Sequence, residues 1–293
     1  MSNTYEIVTD AIIKQLESGV APWRKPWHTG MPANLVSKKE YRGINVFLLG
    51  FQGYGSRYWL TYRQAQTLGG NVKKGERGSK VVFWKIDEYE KKNKETGESE
   101  NRKSILLRYF TVFNLEQCEG IKSPDTRLVV HPIEQCESIV RSMPTPPKLV
   151  QEAQACYRPS ADTVGMPARS AFTSAEEYYS TFFHELTHST GHPSRLGREG
   201  IMEHHPFGSE DYSKEELVAE MGAAMLCGVA GIESRTLDNS AAYLQSWITK
   251  LKSDSRLVVS AASQAQKAAD YILAKGAAEI EPDLKGGNET ETL

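Results

Sequence analysis

The sequence predicts an α+β protein, with a small N-terminal α+β half built on an antiparallel sheet and a mostly helical C-terminal half. Three observations support this. Apolar residues recur every three or four positions over residues 3–18, 174–188, 213–226 and 241–278, the period of an amphipathic helix. Residues 81–86 and 106–113 are instead short β-branched and aromatic runs that read as paired strands. Charge divides the chain in the same way: residues 1–113 carry 19 Lys and Arg against 11 Asp and Glu, net +8, whereas the rest is net −10. A length of 293 residues suits about two domains, each with enough apolar content for its own core. Gly120 and Pro124 mark the break, giving domains 1–120 and 126–278 and a polar, Gly- and Pro-containing tail, 279–293, expected to be flexible.

The N-terminal elements follow in order. A helix over 3–18 carries Ile7, Ile12, Ile13 and Leu16 and ends at Gly19. Residues 22–27 are extended by two prolines and place Trp23 and Trp27 around Arg24 and Lys25. After Tyr41, Arg42 and Asn45 comes an aromatic tract over 51–62, then a short helix capped by Thr61 and stopped by Gly69 and Gly70. A glycine-containing turn, 71–78, presents Lys73, Lys74 and Arg77. Between the two strands, 89–103 is charged and reads as a mobile hairpin tip.

Aromatic rings interleaved with cations suit single-stranded nucleic acid, because bases stack on rings while cations track phosphates. The residues of this pattern are Trp23, Arg24, Lys25, Trp27, Arg42, Asn45, Trp59, Tyr62, Arg63, Gln64, Lys73, Lys74, Arg77 and Lys80. Trp23, Trp27 and Trp59, beside Pro, Gly, Arg or Tyr, are expected to be exposed. Trp84, among Val82, Phe83 and Ile86, is expected in the core.

In the C-terminal half, Ser174 with Glu177 reads as a capping box opening a helix whose apolar stripe includes Tyr178, Tyr179, Phe182, Phe183 and Leu186. That helix contains His184-Glu185-Leu186-Thr187-His188. Histidines four apart share a helix face and reach one zinc at about 2.0–2.1 Å, while Glu185 faces a metal-bound water as general base. A third ligand is needed. His192 remains an alternative, although Ser194 stands where a metzincin has its third histidine. The acidic helix over 213–226 offers Glu216 as the preferred ligand and Glu220 as the carboxylate that orients a ligand histidine. Against this, Glu216 also fits as the third residue of a capping box begun by Ser213. Such a His₂Glu set suits zinc, with manganese, cobalt or nickel as alternatives. The periodicity over 241–278 reads as one or two helices packed on this half.

Cys118, Cys136, Cys156 and Cys227 lack Cys-x-x-Cys spacing, which argues for reduced thiols in the cytoplasm. No apolar run is long enough to span a bilayer and no secretion signal is visible, so no membrane partner is expected.

The chain resembles the ArdC antirestriction proteins of conjugative plasmids along its whole length. In the N-terminal half the resemblance lies in Pro22-Trp23, Tyr41-Arg42-Gly43-Ile44-Asn45, Trp59-Leu60-Thr61-Tyr62-Arg63-Gln64-Ala65, Gly69-Gly70, Val72-Lys73-Lys74-Gly75-Glu76-Arg77-Gly78 and Val81-Val82-Phe83. These look like a single-stranded DNA-binding domain also fused to plasmid primases. Residues 183–192, Arg195-Leu196 and Glu215-Glu216-Leu217-Val218-Ala219-Glu220 look like a zincin-type metallopeptidase domain of the gluzincin kind. The resemblance implies a protein that binds incoming plasmid DNA, single-stranded or also double-stranded, and helps it survive host restriction. Whether the second domain cleaves a host protein, such as a restriction component, or serves only structure stays open.

Overall fold

The computed structural model describes residues 3–24, 30–92, 99–124, 131–199, 201, 210–232 and 240–275, with the side chains of 85–106 and 210–212 excepted. Lys25, Trp27 and the tail 279–293 lie outside the described residues. Helix α1 (Thr4–Glu17) starts at an Asn3–Glu6 capping box and stops at Gly19, whose φ is +88°. A 3₁₀ turn (Pro22–Arg24) leads to β1 (Ala33–Asn34), α2 (Ile44–Gly50) and β2 (Tyr58–Leu60). In α3 (Tyr62–Thr67), Thr61 Oγ1 accepts from the Gln64 amide while Gln64 Oε1 accepts from the Thr61 amide. Then come β3 (Asn71–Val72), β4 (Ser79–Lys92), β5 (Ser99–Asn114) and β6 (Cys118–Glu119).

The main N-terminal sheet has the order β1-β2-β5-β4, antiparallel except for the β1–β2 pair. The hairpin differs from the sequence expectation, since pairing continues through Lys92↔Ser99, within the stretch read as a mobile tip. The free edge of β4 is sealed at Val82, whose N–H donates to Asn45 Oδ1 and whose carbonyl accepts from Asn45 Nδ2, both at 2.7 Å.

The C-terminal half opens with α4 (Pro132–Ser142) and a small sheet absent from the sequence reading. Its strands β7 (Lys148–Gln151), β8 (Cys156–Arg158) and β9 (Thr163–Met166) have the order β7-β9-β8. Helices α5 (Ala175–Ser189), α6 (Glu210–Ala230), α7 (Ala241–Ser253) and α8 (Leu257–Ile272) follow. Ser174 caps α5 by accepting from the Glu177 amide, but the Glu177 carboxylate bonds Thr173 N instead of closing the expected box. Ser213 lies inside α6, so a capping role for Glu216 falls away. The described part of the 241–278 stretch, up to Lys275, holds the two helices α7 and α8, and none of the described helices is long and apolar enough to cross a membrane.

The halves do not keep separate cores. One cluster joins Val8, Ile12, Leu16, Trp23, Phe47 and Val82 to Phe183, Leu217, Met221, Val258 and Ile272. Two smaller clusters sit within the N-terminal half, around Leu60 and around Trp59. The sheet packs on α1 and α2, which in turn meet α7 and α8, so charge asymmetry separates surfaces here, and the interior runs across it.

Candidate metal centre and nucleic-acid surface

Helices α5 and α6 pack with Gly222 against Thr187, bringing the first turns of the described part of α6 to the His-bearing turn of α5. His184 Nε2 and His188 Nε2 stand 3.1 Å apart. Glu216 closes the triangle, with one oxygen 3.5 Å from His184 Nε2 and the other 3.6 Å from His188 Nε2. A tetrahedral ion with ligands at about 2.0–2.1 Å requires ligand–ligand edges of about 3.3–3.4 Å. The three edges bracket that value, so the donor set fits a small divalent cation. His192 is not in this cluster; its Nδ1 faces Ser194 Oγ at 2.7 Å.

The carboxylate that orients a histidine is Glu215, where the sequence reading had placed Glu220. His188 Nδ1–H donates to Glu215 Oε1 at 3.2 Å, so Nε2 is the nitrogen that faces the cluster. Glu215 is itself gripped by Arg198, through Nε to Oε2 at 3.0 Å and Nη2 to Oε1 at 2.5 Å. Arg198 also bonds Thr190 Oγ1 and the Thr187 carbonyl, tying the end of α5 to the same network. Burial pushes the Glu215 carboxyl up, but hydrogen bonds from His188 and Arg198 outweigh it and hold the group below the usual range. Burial pushes His188 down, yet the bond to Glu215 and the charges of Glu216, Glu215 and Glu185 raise it to about 9.

Glu185 is buried, and its carboxylate accepts no hydrogen bond from the described residues. It directly follows His184 on α5, the helix that packs on β8 and β9, and its charge helps to raise His188. A carboxylate so placed can take a proton from a water at the cluster.

Glu220 faces the N-terminal half. Trp23 Nε1–H donates to Glu220 Oε2 at 2.6 Å, the Tyr243 hydroxyl bonds the same oxygen, and Arg24 Nη2 lies 3.4 Å from Oε1. The Arg24 guanidinium also covers the Tyr243 ring at 3.6 Å. Burial first, then the Glu220 charge, pushes the Tyr243 hydroxyl well up.

That network removes Trp23 and Arg24 from any free surface. Trp59 is also buried, edge-on to Tyr54 at 5.5 Å, so neither described tryptophan expected to be exposed is so. Asn45 is consumed by the β4 edge, Arg42 by Asp270 of α8, and Gln64 by the Thr61 cap and Asn34. Tyr62, Arg63, Lys73, Lys74, Arg77 and Lys80 remain exposed. Trp84, expected in the core, is 40% exposed. Glu215 was visible as the neighbour of Glu216, but Arg198 sits in an aperiodic loop with no pattern to signal it.

A His-Glu-x-x-His helix completed by a glutamate from the next helix defines a zincin-type domain, here joined to a basic, sheet-bearing half. The comparisons agree. Residues 2–113 match the N-terminal domain of anti-restriction factor ArdC, and residues 134–264 match a zincin-like metallopeptidase. The metal-free crystal structure of the antirestriction ArdC protein from plasmid R388 is 40% identical, covering 92% of this chain and 97% of that one at a TM-score of 0.74. The Mn(II)-bound structure of that protein is 39% identical, with coverage of 94% and 99% and the same TM-score, 0.74. The uncharacterized protein y4eC of Sinorhizobium fredii is 35% identical over 288 residues, 94% of this chain and 92% of its own length. Two DNA primases TraC of Escherichia coli are 37% identical over 92% of this chain, which spans only 20% and 27% of their lengths. The chain belongs to the ArdC antirestriction family.

Proposed function

We propose that this chain binds single-stranded DNA through its N-terminal half and so protects incoming plasmid DNA from host restriction, with a divalent metal held by His184, His188 and Glu216. The observation that carries the DNA reading is the cationic and aromatic surface of Tyr62, Arg63, Lys73, Lys74, Arg77 and Lys80 on a half of net charge +8. Antirestriction by the R388 relative supports the biological role, and its Mn(II)-bound structure supports the metal. When bound, such an ion lowers the pKa of a water and polarises a carbonyl. The chain's own part is to orient His188 through Glu215 and to offer Glu185 as proton acceptor.

The placement of Glu185 favours a second reading, an active metallopeptidase that cleaves a host protein. Glu185→Gln keeps the ligands and removes the base. Plasmid transfer into restricting recipients separates the two readings. Full protection by Glu185→Gln, with loss when Lys73, Lys74 and Arg77 become Gln, supports DNA binding. Loss of protection by Glu185→Gln alone supports proteolysis.

A further inference from the structure

A row of rings and cations crosses from the β4–β5 hairpin to the start of α8. The hairpin register sets Lys80, Val82 and Trp84 on one face, opposite Thr111, Tyr109 and Leu107. Val82 and Leu107 are buried, while Trp84 and Tyr109, at 40% and 39% exposure, stand open beside them. Lys80 Nζ lies 4.7 Å from the Tyr109 ring centre. Tyr5 of α1 meets Trp84 edge to face at 6.1 Å, and the Arg256 guanidinium lies 5.4 Å from the Tyr5 ring centre. Neither Lys80 nor Arg256 has a carboxylate partner among the described residues.

An exposed tryptophan propped by a tyrosine, with an exposed cation at each end of the row, matches a ligand that alternates flat rings with negative charges. We infer that this row is a stretch of the single-stranded nucleic-acid path, with bases stacked on Tyr109 and Trp84 and phosphates at Lys80 and Arg256. It rests on the DNA-binding reading of the N-terminal half and extends it, because Arg256 brings the C-terminal half into the interface. Trp84, Tyr109 and Arg256 were not among the residues that the sequence pattern singled out.

The test uses the full chain and a fluorescein-labelled oligothymidylate, read by anisotropy over a range of salt. Trp84→Leu and Tyr109→Leu keep apolar bulk but remove the ring, and each should weaken binding about 5–150-fold. Trp84→Phe keeps a ring and should stay within a few-fold of the parent. Arg256→Gln should reduce the salt slope by about 0.7. Parental affinity and slope in Trp84→Leu, Tyr109→Leu and Arg256→Gln, with binding still lost when Lys73, Lys74 and Arg77 become Gln, would overturn the row and spare the N-terminal reading. Failure of the parent itself to bind the oligonucleotide would overturn both.

Discussion

Gly222 of α6 lies so close to Thr187 of α5 that a Cβ on the glycine would stand 2.5 Å from Thr187 Cγ2 and 2.9 Å from its Oγ1. Thr187 cannot swing aside, because it is fully buried and its hydroxyl donates to the Phe183 carbonyl at 2.7 Å. The missing side chain therefore sets the distance between the helix that carries His184 and His188 and the helix that carries Glu216. Gly222→Ala should cost about 1–3 kcal/mol by overpacking and weaken metal retention, since the donor set spans both helices. Thermal melts and metal titration read both effects. An unchanged melting temperature would mean that the helices spread without cost.

Protons compete with metal at this centre. With its pKa at about 9, His188 is protonated at neutral pH without metal, and a cation must displace that proton from Nε2. Below pH 9, metal affinity should fall about tenfold per pH unit through this group alone. The stability sign is opposite. A histidine whose folded pKa lies above its unfolded value of 6.5 contributes fully below pH 6.5, and that contribution disappears as pH rises through about 9. The melting temperature of chelator-treated protein should decline over this window, while the gain on adding Mn(II) should grow. A gain independent of pH would place the proton elsewhere.

Glu215 should matter to the metal without touching it. In Glu215→Gln the shape persists but the charge that holds the His188 tautomer is gone. Metal affinity should drop about 10–100-fold, the range seen when a partner behind a ligand histidine is lost. Glu216→Ala, which removes a donor, should abolish stoichiometric binding. Equal, small losses in both variants would contradict these assignments, and calorimetry distinguishes them.

What could be read from the sequence depended on how local each feature is. The His184–His188 pair lies within one helical turn, so spacing alone brought the imidazoles together. The Thr61 cap and the Gly19 stop are equally local. Trp59 and Trp84 came out reversed because their immediate neighbours do not decide burial. Trp59 pairs with Asn114 and packs on Tyr54, whereas Trp84 lies on the β4–β5 face next to Tyr109, beyond the cover given to Val82 and Leu107. Glu216 and Glu220 do share a helix face, as their spacing requires. Which of them meets the histidines is settled by Trp23, almost two hundred residues earlier, which claims Glu220.

That claim separates two kinds of glutamate by experiment. Glu220 and Arg24 are less than a tenth exposed, and the Glu220 carboxylate holds the Trp23 indole N–H and the Tyr243 hydroxyl together between α6, the Pro22–Arg24 turn and α7. Removing one member of a buried charged network is costly, about 3–5 kcal/mol, because its partners lose their acceptor inside the core. Glu220→Ala should therefore lower the melting temperature sharply, yet leave one metal per folded chain, since His184, His188 and Glu216 are intact. Glu216→Ala should do the reverse, losing the metal while the metal-free protein melts near the parent temperature. Trp23→Phe, which removes the indole donor and leaves a small cavity in its place, should cost about 2–4 kcal/mol and leave DNA affinity unchanged, because Trp23 is buried. Metal loss in Glu220→Ala at temperatures where the chain is fully folded would show that this junction also shapes the metal centre.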